Sequence, residues 1–96
     1  MGHGVFVFEL DETKRRANLL KHGVDLYEAA EIFADFFISR IDRRTDYGEV
    51  RFAAPGYVGE IAYVVVYTQR GDKMRLISAR KAGRKDIERY KDFFSR

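Results

Sequence analysis

Two hydrophobic periods alternate along this chain, and the points where one replaces the other divide it into eight elements. Val5 to Glu9 alternates with period two, placing Phe6 and Phe8 on one face of a short first strand. Thr13, Ala17 and Leu20 then share a face at helical spacing. Asp11 supplies an N-cap and Glu12 a first-turn carboxylate, which the helix dipole favours. This helix is expected to run to about His22, with Gly23 free to take positive φ beyond its end. A second helix follows, with Asp25 and Glu28 as a capping box, Leu26, Ala29, Ala30 and Phe33 as its apolar stripe, and Asp35 as its end.

The pattern then returns to period two. Phe36 to Asp42 reads as a strand, and RRTDYGE as a polar turn region containing Gly48. Glu49 to Ala54 reads as the next strand. Tyr47, Glu49 and Arg51 share its polar face, and Val50, Phe52 and Ala54 its core face. Pro55-Gly56 follows, and Gly59-Glu60 is the expected turn into Ile61–Thr68, which is β-branched or aromatic on both faces and so belongs inside the sheet. Arg70-Gly71-Asp72 forms a hairpin into Met74–Lys81. Gly83 to Phe94 is the last helix, with Ile87, Tyr90 and Phe94 inward. The order β-α-α-β-β-β-β-α predicts one α+β domain over residues 1–96, with a mostly antiparallel sheet.

Met74–Lys81 is the segment in which chemistry and scaffold meet. Strict alternation puts Met74, Leu76, Ser78 and Arg80 on one face and Arg75, Ile77, Ala79 and Lys81 on the other. Both faces carry apolar groups, so each arginine needs a carboxylate partner or a groove that a phosphate can enter. Without a bulge only one of the two can face a given site. Arg80 is favoured, because Ser78 makes its face the more polar.

Charge sharpens this picture. Residues 70–96 hold ten Lys/Arg against four Asp/Glu, while residues 1–69 hold eight against eleven. A basic last third suits a polyanionic partner, nucleic acid or an acidic protein, although a solvated basic helix face has the same composition. Arg84 and Lys85 begin the last helix, the end that its dipole makes unfavourable for cations, which points to a partner there. The absence of cysteine excludes disulfides and thiolate metal sites, and His3 and His22 lie too far apart in the chain to suggest a metal enzyme. No metal and no cofactor is expected. The longest apolar run, Ile61–Tyr67, falls well short of the ~20 residues of a membrane helix. No basic-then-apolar start marks a secretory signal, so a cytoplasmic location is expected.

Three motifs in fixed order carry a family resemblance: KHGV (Lys21 to Val24), GExR (Gly48 to Arg51) and RLISARKA (Arg75 to Ala82). With the segments around them, from about Phe8 to Tyr90, the chain resembles the BrnT toxins of bacterial type II toxin–antitoxin modules. It departs from the family pattern at Leu10, where tryptophan is usual, at Phe36, where proline is usual, and at Gly83, where threonine is common. The resemblance implies a RelE-like fold and a ribonuclease that arrests translation. Its implied partners are RNA and a BrnA-like DNA-binding antitoxin, through which alone it would reach operator DNA.

Metal-free RNA cleavage needs a base for the ribose 2′-OH, an acid for the leaving 5′-oxygen and cations for the charge that develops. Among the residues the resemblance points to, Glu49 and His22 can carry protons near neutral pH, Glu49 if it is desolvated. Arg51, Arg75 and Arg80 can only hold phosphate. The expected assignment makes Glu49 the base, with Arg51 and Arg80 as the clamp. His22 is the rival, its helix-end position raising its pKa and suiting it to protonate the leaving oxygen. Lys14, Arg84 and Lys85 are candidate RNA contacts. Glu49 beside Arg51 is also what a structural ion pair looks like, and Lys21 with His22 is ordinary last-turn charge. A non-catalytic nucleic-acid-binding module, or one that only docks an acidic antitoxin, would carry the same residues.

Overall fold

The computed structural model describes residues 7–43 and 48–95. His3, Val5, Phe6 and Tyr47 lie outside the described residues. The elements are β1 (Val7–Glu9), α1 (Glu12–His22), α2 (Leu26–Ala29) running into a 3₁₀ turn (Ala30–Ala34), β2 (Arg40–Ile41), β3 (Phe52–Val58), β4 (Ile61–Arg70), β5 (Lys73–Lys81), α3 (Arg84–Arg89) and α4 (Lys91–Phe94). The strands form one mixed sheet in the order β1-β5-β4-β3-β2, antiparallel except where β1 runs parallel to β5. The α+β class and the dominant antiparallel meander agree with the sequence pattern.

One face of the sheet carries the larger core. Val24, Leu26, Ile32 and Phe33 pack there on Ala54, Val65, Tyr67, Met74 and Leu76. On the other face Tyr90 covers Ala53, Val64 and Val66, with Ile77 and Phe94 at the margin. The N-terminal caps form as their residues dictate. Asp11 accepts from the Thr13 N–H at 2.8 Å, and Asp25 from the Tyr27 N–H at 3.0 Å. Gly23 closes α1 at φ 69°, its N–H donating to Leu19 O.

Alpha1 does not dock by the face its spacing suggests. Thr13, Ala17 and Leu20 all face outward, Leu20 being 89% exposed. The inward residue is Asn18, 5% exposed. Its Nδ2 donates to Ala79 O at 2.8 Å and Val24 O at 2.9 Å, and its Oδ1 accepts from the Ala79 N–H at 3.0 Å. Beta1 covers β5 only at Lys73–Arg75, so farther along the strand the edge groups of Ala79 need another partner. Asn18 provides it, and a helix held by an amide has no use for an apolar stripe.

Four other expectations change. The strand expected over Phe36–Asp42 shrinks to Arg40–Ile41, because Phe37 turns in to meet Phe33 (ring centroids 4.7 Å apart) while Phe36 stacks on Phe93. The strand expected over Glu49–Ala54 begins at Phe52 and continues through Pro55 to Val58, leaving Val50 exposed. Proline is tolerated there because β2 pairs only with Phe52 and Ala53, so no ladder bond is asked of Pro55 on that edge. The next residue, Gly56, admits Ile32: a Cβ at position 56 would lie 2.5 Å from the Ile32 Cβ. The last helix breaks at Tyr90 (φ −111°, ψ 34°), which turns Phe93 inward and leaves Ile87 41% exposed.

The fourth change concerns the arginines. Val66 opposes Ser78 and Tyr67 opposes Leu76, so Ile77 is an extra residue, a β-bulge. The bulge resets the alternation. Arg75 lies opposite Thr68 and Arg80 opposite Val64, both on the Tyr90 side of the sheet. The two arginines therefore share one face.

Asn18→Ala leaves three backbone groups without their partner, each worth ~1–3 kcal/mol when buried, so a loss of roughly 2–5 kcal/mol is expected in urea titration. A loss under ~1 kcal/mol would mean that water replaces the amide. Gly56→Ala should cost about 1–3 kcal/mol by overpacking. Adding Ile32→Ala should not restore it, since the nearest contact is itself to a Cβ.

Candidate active site: a cationic groove between α1 and α3

Asn18 holds α1 alongside the end of β5, and the tight turn at Gly23 fixes where the last helical turn stops. A groove of about 640 Å³ opens between α1 and α3, with β5 as its floor. Lys14, Lys21 and His22 line it from α1, and Ile77, Ser78 and Arg80 from β5. Lys85, Asp86 and Arg89 complete it from α3. Among the described residues Asp86 is the only carboxylate in this lining, and it is turned to Arg80. Arg80 Nη2 donates to Asp86 Oδ1 at 2.6 Å and Arg80 Nε to Oδ2 at 3.1 Å. Asp86 Oδ2 also accepts from the Gly83 N–H at 3.0 Å, so the carboxylate caps α3 as it holds the arginine.

The electrostatics follow from this crowding. Burial, then Lys21, then Arg80 push the His22 imidazole below its ordinary pKa. The shift is downward, opposite to the rise expected from its helix-end position, although His22 stays exposed to solvent. A neutral imidazole near pH 7 is a proton acceptor. Burial pushes the Asp86 carboxyl up, but the hydrogen bonds from Arg80 and the Gly83 N–H, with Arg80's charge, bring it below the usual carboxylate range.

Of the residues singled out from the sequence, His22, Arg80, Lys14 and Lys85 thus meet in one place. Arg84 opens α3 beside the groove, exposed to solvent. Glu49, Arg51 and Arg75 lie elsewhere. Glu49 is 3.6 Å from Arg51 Nε and 3.5 Å from Arg70 Nη2, and Arg75 Nη1 is 3.5 Å from Glu9. Thr68 Oγ1, donating to Val50 O at 2.6 Å, ties this segment to β4. The row holding Arg75 and Thr68 is four residues along β4 from Val64, the partner of Arg80, or about 13 Å at ~3.3 Å per residue. Arg80 lines the groove and Arg51 is not part of that lining. Both β5 arginines have the carboxylate partner that burial asks for, and Arg80 lines the groove as well.

Lys21, Asp86 and Arg89 were not among the sequence candidates. Lys21 could have been found as the neighbour of His22 in the KHGV motif, and Arg89 as the i+4 neighbour of Lys85 on α3. Nothing in the sequence pairs Asp86 with Arg80 rather than with another cation.

A family model described as the ribonuclease toxin, BrnT, of type II toxin–antitoxin systems matches residues 10–86. This chain belongs to the BrnT family. The matched segment takes in every groove residue except Arg89. Membership of a type II module implies an antitoxin partner for this BrnT chain. No curated protein matches it. Among the described residues no helix is long and apolar enough to cross a membrane.

The Asp86–Arg80 pair sets a pH dependence. With its folded-state pKa depressed, Asp86 adds stability at pH values above its unfolded pKa of ~4, and that contribution is lost as pH falls through the folded value. Arg80→Met removes the compensating charge and leaves burial. Asp86 should then titrate above the ordinary range, and the variant should lose roughly 1–3 kcal/mol at pH 7, less than the loss for a fully buried pair. The deficit should shrink as pH falls through the variant's raised Asp86 value toward ~4, because protonation there removes the uncompensated buried charge. Thermal unfolding between these pH values checks the sign, and a deficit that does not change with pH would refute it.

Proposed function

We propose that this BrnT chain is a metal-independent endoribonuclease whose active site is the α1–α3 groove. The observation that supports the reading is His22 beside Arg80 in a groove whose other lining charges, Asp86 apart, are cations. The RNA backbone lies along the groove. His22, neutral when free, takes the proton of the ribose 2′-OH, and the resulting alkoxide attacks the adjacent phosphorus. Arg80 holds the phosphoryl oxygens, while Lys14, Lys21 and Lys85 offset the charge on the phosphorane and on the departing 5′-oxygen. The departing 5′-oxygen takes its proton from solvent water and His22 returns its own to solvent, so the products are a 2′,3′-cyclic phosphate and a free 5′-hydroxyl. The 2′-OH is the nucleophile, so DNA is not a substrate.

On this reading the protein arrests translation by cutting RNA, as a RelE-like toxin does, and a BrnA-like antitoxin neutralises it by covering the basic surface that Arg84 and Lys85 extend. Glu49, Arg51 and Arg75 then stand outside the chemistry, Glu49 pairing with Arg51 and Arg70 before β3 and Arg75 with Glu9 of β1.

The test compares His22→Gln, Arg80→Ala and Glu49→Gln on a single-stranded RNA, each first shown to be folded by circular dichroism. His22→Gln should lower cleavage ~10²–10⁴-fold, the usual worth of one proton-transfer group, and Glu49→Gln should change it by less than ~3-fold. In the wild type the rate should rise with pH to a midpoint below ~6.5, and this limb should be absent in His22→Gln. Cleavage should persist in excess chelator. Loss of activity in folded Glu49→Gln, with His22→Gln active, would move the site to the Glu49 cluster.

A further inference from the structure

An arginine offers five N–H donors arranged as two forks, one from Nε and Nη2, the other from Nη1 and Nη2. Asp86 occupies the first fork of Arg80. The second fork is complete: Nη1 makes no hydrogen bond among the described residues, and Nη2 has a second hydrogen to give. The carboxylate is itself immobilised, because Asp86 belongs to α3, accepts from the Gly83 N–H, and has a side chain only 12% exposed. A guanidinium gripped along one edge by a fixed carboxylate cannot rotate, so the direction of its remaining edge is fixed too.

Resting on the assignment of the groove as the cleavage site, we propose that Asp86 is a positioning residue for cleavage. It holds the Arg80 guanidinium by its Nε/Nη2 edge, so that the Nη1/Nη2 edge receives the RNA phosphate while the Asp86 pair stays intact. The carboxylate also lowers the net positive charge of the groove that His22 lines. Lys21 of α1 and Arg80 of β5 act directly on His22, and Lys14, Lys85 and Arg89 share the groove with it. Among the described residues Asp86 is the one negative charge set against these cations in the lining.

Two outcomes follow that a purely structural role would not produce. Asp86→Asn keeps an oxygen for the Gly83 N–H but gives up the charge and one acceptor. It should lower kcat ~10- to 100-fold, the scale expected when a catalytic group loses its placement, with KM unchanged or lower because the groove becomes more positive. The His22 titration midpoint, followed by NMR and assigned against His22→Gln, should move further down. Asp86→Glu, which keeps the charge, should recover kcat to within a few-fold of wild type. Wild-type kcat and an unmoved His22 midpoint in Asp86→Asn, or equal losses in the Asn and Glu variants, would overturn the proposal.

The wild-type protein gives a readout that does not depend on any variant folding. On titration with inorganic phosphate the Arg80 Nε–H resonance, assigned by its absence in Arg80→Lys, should stay sharp and slow to exchange. Its broadening would mean that phosphate displaces Asp86, and would overturn the shared-fork arrangement. Wild-type cleavage by both Arg80→Ala and His22→Gln would remove the groove assignment and this proposal with it. Loss in those two beside an unaffected Asp86→Asn would remove this proposal alone.

Discussion

The bonds between the Asn18 amide and the backbone of Ala79 decide where α1 lies, and most of the functional surface depends on that placement. A side-chain amide matches the edge of a strand, offering one acceptor and donors to spare. Here it meets the N–H and C=O of one residue while reaching back to Val24, just past the turn that ends its own helix. One side chain thus closes an open stretch of sheet edge, docks α1 and fixes the exit of that helix. His22, four residues on and so on the same helical face, is carried to the groove by that docking. A helix held by apolar packing alone could slide along the strand, whereas one held by directional bonds to a single residue has one register.

How much of this was legible depends on whether the information was local. Caps, turns and the buried run of β4 follow from residues within a few positions of each other, and Asp11, Gly23 and Val64–Val66 all do what their neighbourhood dictates. The failures have a common cause, a long-range partner that overrides local pattern. Leu20 has helical spacing but nothing to pack on, because Asn18 supplies the contact. Pro55 would stop a central strand, but it lies beyond the two residues of β3 that β2 pairs with. Ile87 loses its inward place to Phe93 because the chain turns at Tyr90.

The candidate site was legible in its ingredients and not in its assembly. His22, Arg80, Lys14 and Lys85 could each be picked out, but their meeting requires the bulge at Ile77, which no alternation rule places. Without that extra residue Arg75 and Arg80 would point to opposite faces, and Arg80 would enter the larger core. The bulge keeps it on the side where α3 brings Asp86. Glu49 and Arg51 are adjacent as the spacing suggests, yet the Thr68–Val50 bond ties their segment to β4 beside Arg75, whose row lies about 13 Å along the sheet from that of Arg80 at ~3.3 Å per residue. Faces can be read from period two, whereas distance along a sheet needs the pairing.

The groove also links proton affinity to occupancy. With the site free, Lys21 and Arg80 add to the effect of partial burial and lower the proton affinity of His22. A phosphate between these cations and the imidazole would reverse the sign of the local field, since an anion within ~4–6 Å favours the charged form. The proton affinity of His22 would therefore be lowest when the groove is empty and would rise as the RNA backbone arrives. On the proposed reading, such a base would be free to accept a proton before RNA binds and would hold it more firmly once the phosphate is in place. The same cations that attract the polyanion would thus keep the base unprotonated until it is needed.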